Sequence, residues 1–258
     1  MNFFFHIHNQ EYNSRVSIPK FNNFSKYGKN LKLFKLLIKN QKWFVERPNY
    51  EENKEFFFIE SHKNYNNSEG IYFIGFSKNY NEVDNKFKNK LVDFENFTNT
   101  DPEFRSNLRV MNKGGGFSSY QSEYPFSMTT KQGSILSSTS SLTNKDSEKN
   151  ILFFVNIFAK PVKEKFSIYF VNYEKKEIVS KREAITNEVN FYRLEKEEID
   201  KDIFLYSQNF LGIPIFLSEK NCHISMEHTH PPHEYVHSND RFTLINNLKD
   251  EFNKIINS

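Results

Sequence analysis

The stretch ILFFVNIFAKPVKEKFSIYFVNYEKKEIVSKREAITNEVNFYRL, from Ile151 to Leu194, decides the fold class. Phe166, Ile168 and Phe170 alternate with Ser167, Tyr169 and Val171, the period of two that belongs to a strand. Breaker signals separate the runs: Lys160-Pro161, Glu174-Lys175-Lys176 and Thr186-Asn187. The pattern continues through Ile203–Tyr206, Ile213–Leu217 and His223–Thr229, with Leu211-Gly212 as a further turn. Together with Ile151–Phe158, Phe166–Tyr173, Glu177–Arg182 and Val189–Leu194, these make about seven short strands, the number an antiparallel β-sandwich uses to bury two inner faces. No helix-length periodic segment lies between them, which argues against a parallel βαβ sheet.

Downstream, Ile245, Leu248, Phe252, Ile255 and Ile256 fall on one stripe at helical spacing. They predict a terminal helix, with Thr243 or Asn246 available as its cap. Residues 150–258 therefore read as a β-sandwich followed by a helix. Residues 101–149 differ in texture: Asn is absent between Asn112 and Asn144, Ser and Thr dominate, and Gly114, Gly115 and Gly116 stand together. This span reads as an ordered Gly/Ser-rich loop region, because Tyr120, Tyr124, Phe126 and Met128 are too apolar for a free linker. Residues 1–100 read as an α+β portion. Asn2–His8, Lys42–Val45, Glu55–Glu60 and Gly70–Phe76 are its candidate strands. Leu33, Phe34, Leu37 and Ile38 predict a short helix over Leu31–Lys39. The fold class is mainly β, or α+β.

A chain of 258 residues buries a large core without staples. Phe occurs 29 times and Tyr 13, whereas Ala stands only at Ala159 and Ala184. That balance lowers helix propensity and raises strand propensity. The net charge of +3 with 26% charged residues describes an ordinary solvated surface and not the basic track a phosphate backbone requires, so no nucleic-acid partner is expected. Cys222 is the single cysteine, which excludes an intramolecular disulfide. No apolar run reaches the length of a membrane span, and Met1–His8 lacks a basic leader, so the expectation is a cytoplasmic protein without a membrane partner.

Five of the eight histidines lie between His223 and His237. In an extended Cys222–His230, the side chains of Ile224, Met226, His228 and His230 share one face. Pro231-Pro232 then turns the chain, which brings His233 and Glu234 back towards that face. Two imidazoles at i, i+2 with a third donor suit zinc or iron, so His228, His230 and His233 are the candidate ligands of a divalent metal ion. Glu227 and Glu234 are the candidate catalytic proton carriers. The pattern His228-x-His230-x-x-x-Glu234 is similar to the first metal motif of cupins over about seven residues. The flanking glycines of that motif are missing and only a helix follows, so the cupin fold is not implied. His6 and His8 form a second His-x-His, on the first strand.

Arg105, Arg109, Gly114, Gly115, Gly116, Ser118, Ser119 and Gln121 form the candidate substrate-binding set. Consecutive glycines turn backbone N–H groups towards an anion, and arginines add paired donors. The segment matches neither a P-loop nor a nucleophile elbow. Three functions fit these residues. One is a metal-dependent enzyme acting on a small polar or anionic substrate. The second is a non-enzymatic β-sandwich module that binds a glycan or a protein partner, with the histidines structural. The third is a scaffold subunit. Reaction and oligomeric state have no signature in the sequence.

Overall fold

The computed structural model describes residues 2–20, 31–61, 71–76, 87–88, 105–130, 132–133, 135–228 and 238–258. The chain divides into two compact units, residues 1–129 with 157–162, and residues 130–156 with 163–258. The expected mainly-β class with a terminal helix is what the chain adopts: four antiparallel sheets and, among the described residues, one α-helix. No helix of the described residues is long and apolar enough to cross a membrane.

The first unit holds β1 (Asn2–Phe5), β2 (Tyr12–Pro19), β3 (Leu31–Lys39), β4 (Lys42–Glu46), β5 (Glu51–Glu52), β6 (Phe56–Glu60), β7 (Ile71–Phe76), β8 (Phe87–Lys88), β9 (Asn107–Asn112), β10 (Phe117–Tyr120) and β11 (Glu123–Pro125). They form a six-stranded sheet in the order β11-β1-β7-β3-β4-β8 and a five-stranded sheet in the order β10-β9-β2-β6-β5. The helix expected over Leu31–Lys39 is instead strand β3. Tertiary burial overrides the local period: Leu33, Phe34 and Leu36 are buried while β3 pairs with β4 on one side and β7 on the other. Asn40 and Gln41 both take positive φ, 52° and 56°, which makes the two-residue hairpin turn into β4.

The six-stranded sheet is buried on successive residues of β7, and Phe34 stacks on Phe73 at 5.3 Å between centroids. Trp43 is fully buried and donates its indole N–H to the carbonyl of Ala159 at 3.1 Å, which ties Ile157–Val162 to this unit. The five-stranded sheet is one-sided. Along β2 the side chains of Tyr12, Ser14, Val16 and Ile18 are buried, and those of Asn13, Arg15, Ser17 and Pro19 are half-buried. Phe57, Ile59, Leu108 and Val110 continue the buried face.

The second unit holds β12 (Ile135–Ser138), β13 (Lys149–Asn156), β14 (Lys165–Asn172), β15 (Glu177–Ile185), β16 (Glu188–Arg193), β17 (Ile203–Ser207), β18 (Ile213–Lys220), β19 (His223–His228) and α1 (Arg241–Asn257). Two four-stranded sheets run β12-β17-β14-β15 and β16-β13-β18-β19. All seven expected strands of this region are present, and β12 adds an eighth. Phe154 of β13 meets Phe166 of β14 at 6.0 Å, and the Tyr192 hydroxyl of β16 donates to the Glu183 carbonyl of β15 at 2.6 Å. These contacts join the sheets as the two layers of a sandwich.

Strand β14 is buried on both faces because α1 covers its second face. Tyr169, Val171 and Tyr206 pack against Phe252 and Ile255, with Tyr173, Phe204 and Ile256 at the margin. Phe252 is ringed by Tyr173 at 5.7 Å, Phe204 at 5.9 Å and Tyr206 at 5.4 Å. Polar contacts fix the helix along the sheet. Tyr206 donates to Asn253 at 2.6 Å, and the Glu251 carboxylate accepts from Tyr173 at 2.7 Å and from Lys176 at 3.1 Å. Asp240 occupies the N-cap position without a side-chain cap, so neither expected cap is used. At one end of the sandwich the buried Glu198 accepts from Arg182 Nε at 2.8 Å, from the other arm of that guanidinium at 2.9 Å and from Ser180. It also accepts from the backbone N–H of Glu195 at 2.9 Å, closing a capping box. A buried carboxylate satisfied on this many sides is a structural anchor.

Two consequences are measurable. Phe252→Ala should lower the unfolding free energy by about 3–5 kcal/mol in urea denaturation, the cost of removing a core aromatic ring. A loss below about 1 kcal/mol would show that α1 is not seated on the sheet as described. The hydrogen bond from Tyr173, with that from Lys176, holds the Glu251 carboxyl below its ordinary value. A depressed carboxylate contributes stability above its unfolded pKa and loses it as pH falls through the folded one. Glu251→Gln should therefore flatten the acid-side decline of stability, with little effect on the slope at neutral pH.

Candidate functional site

The expected metal-binding function is corrected by the structure. Among the described residues, no group of three His, Cys, Asp or Glu side chains is placed to hold a metal ion. His228 ends β19, where its cross-strand partner is Ile215, and the next pair on that face is Met226 with Leu217. Strand alternation turns Glu227 to the opposite face, opposite Phe216. On its own face of β19, His228 therefore has the apolar Ile215, Met226 and Leu217 as its ladder neighbours. His230, His233 and Glu234 lie outside the described residues. The two N-terminal histidines belong to the first unit, where His6 is buried with its ring 5.6 Å from that of Tyr72 and His8 shares a hydrogen bond with Asn13 at 3.2 Å. The metal-dependent enzyme is therefore set aside.

The glycine-arginine segment forms strand β9, a tight turn and strand β10. Gly115 takes φ 92°, a backbone angle that glycine adopts without steric cost. The N–H of Gly115 donates to the Asn112 carbonyl at 3.2 Å, and the N–H of Gly116 donates to Asn112 Oδ1 at 2.9 Å. Two of the three glycine N–H groups are thereby committed to the hairpin. Arg105 is exposed two residues before β9, and Gln121 is half-buried just after β10. Ser118 pairs with Val110, on the phase of the buried face, whereas Ser119 pairs with Arg109 and is exposed.

What the structure brings together is a row on the open face of the five-stranded sheet. Ser119 lies opposite Arg109 on β9, Arg109 lies opposite Arg15 on β2, and Arg15 lies opposite Glu60 on β6. Two guanidinium side chains therefore leave adjacent strands at the same level. Directly opposed β-carbons stand ~4.5–5.5 Å apart, and like charges so placed destabilise the sheet. Arg15 is balanced in part by Glu60, Nε to Oε1 at 3.6 Å. Arg109 forms no ion pair with any described carboxylate; its guanidinium lies over the Phe117 ring at 3.7 Å from the centroid. Arg15 lies over Phe58 in the same way at 4.3 Å. Both rings sit one diagonal step away on the next strand, the position from which a long side chain is reached. The Nε atoms of both arginines are shielded from water and make no hydrogen bond.

Sequence reasoning found Arg109 and Ser119 and missed Arg15. The alternation of Tyr12, Val16 and Ile18 with Arg15 and Ser17 was the available signal for β2, weakened by Ser14 on the buried face. No sequence pattern gives the register that sets Arg15 opposite Arg109. Comparison of the chain with protein-family models and with curated proteins finds no match.

The opposed arginines can be checked without any ligand. A double-mutant cycle of Arg15→Gln and Arg109→Gln isolates their mutual term from each one's contact with phenylalanine. It should return an unfavourable coupling of about 0.2–1 kcal/mol at low salt that fades as salt is raised. A coupling of zero at low salt would remove the claim of opposed charge.

Proposed function

We propose that the chain is a binding protein that takes up a small anionic ligand on the open face of the five-stranded sheet. The observation that carries this reading is the cross-strand pairing of Arg15 with Arg109. Folding places two positive side chains where they repel, and among the described residues only Arg15 has a carboxylate beside it. Local rules broken in this way are characteristic of functional positions, and the rings that steady the two arginines do not neutralise them. An anion over the row converts the repulsion into two attractions, since a guanidinium offers paired N–H donors to phosphate or carboxylate oxygens.

The surroundings suit capture on a rigid platform. Arg109 and Arg15 arise from central strands of the sheet, and each is steadied by an aromatic ring. Side chains so restrained lose less freedom on binding than free surface arginines do. Ser119 adds an exposed hydroxyl beside Arg109, on the outer side of the row. No reaction is assigned to the site.

Isothermal titration with inorganic phosphate at low salt tests the reading. One saturable site that weakens with ionic strength is expected. Replacing either arginine by glutamine should weaken binding about 10-fold or more, as loss of a charge-assisted hydrogen bond does. Phosphate that fails to bind, or that binds equally to the Arg15→Gln and Arg109→Gln proteins, sinks it.

A further inference from the structure

The open face carries more than charge. Phe117 is 54% exposed, and it stands on edge strand β10 opposite Met111. A phenylalanine so exposed on a sheet has one ring face covered by the Arg109 guanidinium. The other face of a flat ring remains a surface for stacking. On the far side of the arginine row, Phe58 is half-buried beneath Arg15 and lies 5.9 Å from Phe56. Exposed aromatic rings on a sheet, set beside arginines, combine a stacking platform with an anion site.

We infer that the ligand is a phosphate ester bearing a flat aromatic ring, of the nucleoside monophosphate class, with its phosphate on Arg15 and Arg109 and its ring on Phe117. This rests on the anion-binding reading above. Three observations select the class. First, the positive row is short: Glu60 closes it on β6, and Glu51 follows on β5, opposite Phe58. Two guanidiniums that end at Glu60 on one side and at Ser119 on the other match one phosphate group, whereas a nucleic-acid strand requires a track of neutralised phosphates. Second, the Arg109 guanidinium lies over one face of the Phe117 ring at 3.7 Å from the centroid, so a phosphate on its outward donors and a flat ring stacked on the other face are separated by little more than two stacking distances. A single nucleotide covers that reach between its phosphate and its base. Third, the exposed Ser119 lies opposite Arg109 and two residues along β10 from Phe117, a hydroxyl beside both groups for the sugar of such a ligand.

Titration of the intact chain with adenosine monophosphate, inorganic phosphate and adenosine, in parallel, tests the inference. The monophosphate should bind about 10-fold or more tightly than inorganic phosphate, the gain that one base–aromatic stack supplies. Adenosine alone should bind weakly or not at all. Phe117→Leu, which keeps the apolar bulk and removes the ring, should erase the monophosphate's advantage over inorganic phosphate, with both ligands titrated into the same variant. Arg109→Gln should weaken both phosphate ligands. If inorganic phosphate binds and the monophosphate gains nothing over it, the inference fails while the anion site stands. The same holds if Phe117→Leu leaves the advantage intact. If neither phosphate ligand binds, the anion site fails and the inference falls with it.

Discussion

Register in the β10-β9-β2-β6 ladder is the constraint on which both the first unit's core and its candidate site depend. Side chains on a strand alternate with a period of two, so pairing fixes which residues enter the core and which face out. With Ser14 opposite Val110 and Val16 opposite Leu108, the buried face closes. The same pairing forces Arg15 opposite Arg109. A slip of one residue along β2 would carry Tyr12, Val16 and Ile18 into solvent and drive Arg15 into the core. Burying three large apolar side chains is worth several kcal/mol, about 1.5–3 for each. Repulsion between two partly solvated guanidiniums costs about 1 kcal/mol or less. The core therefore decides the register, and the arginine pair is held in place by forces that have nothing to do with its own charge.

Much of the fold was legible in the sequence where one physical signal dominated. The strands between Ile151 and His228 announce themselves through aromatic and β-branched runs broken by turns, and α1 through a single apolar stripe. Strand β3 was misread because Leu and Lys are good helix formers and the Leu33, Phe34, Leu37, Ile38 spacing fits a helix as well as a strand buried on both faces. The deciding information was tertiary: partners β4 and β7 on its two edges. The turn at Asn40-Gln41 was a local clue of lesser weight. Strands β9 and β10 were hidden by composition, since glycine and serine read as loop, while the hairpin they form is held by Asn112, whose backbone and side chain accept from both Gly115 and Gly116.

The candidate site was legible only in part, for a reason rooted in how sheets are built. A helix or loop site gathers residues close in sequence, so spacing reveals it. A sheet-face site gathers one residue from each strand. Arg109 and Ser119 are near neighbours in sequence because a hairpin joins their strands, and they were found together. Arg15 is separated from them by most of the first unit, and reaches them only through the β2-β9 ladder. The described end of the histidine cluster shows the complementary case. His228 and Glu227 are adjacent in sequence, yet strand alternation sends them to opposite faces of β19. Proximity along the chain is a good guide to shared chemistry within a turn and a poor one within a strand.

The two phenylalanines beside the arginines bear on why the pair persists. A guanidinium over an aromatic ring gains about 0.5–1 kcal/mol at a solvated position, comparable with the cost of a like-charged neighbour and opposite in sign. Phe117 and Phe58 thus offset the repulsion without neutralising the charge. A carboxylate in either place would stabilise the free protein equally well, but it would compete with any anion for the same N–H donors. Glu60 does this in part for Arg15 at 3.6 Å, a separation longer than a hydrogen bond, and no described carboxylate does it for Arg109. Aromatic support leaves the outward donors of Arg109 available. That combination, a charge held in position by a group that cannot cancel it, separates a platform able to receive an anion from an ordinary surface ion pair.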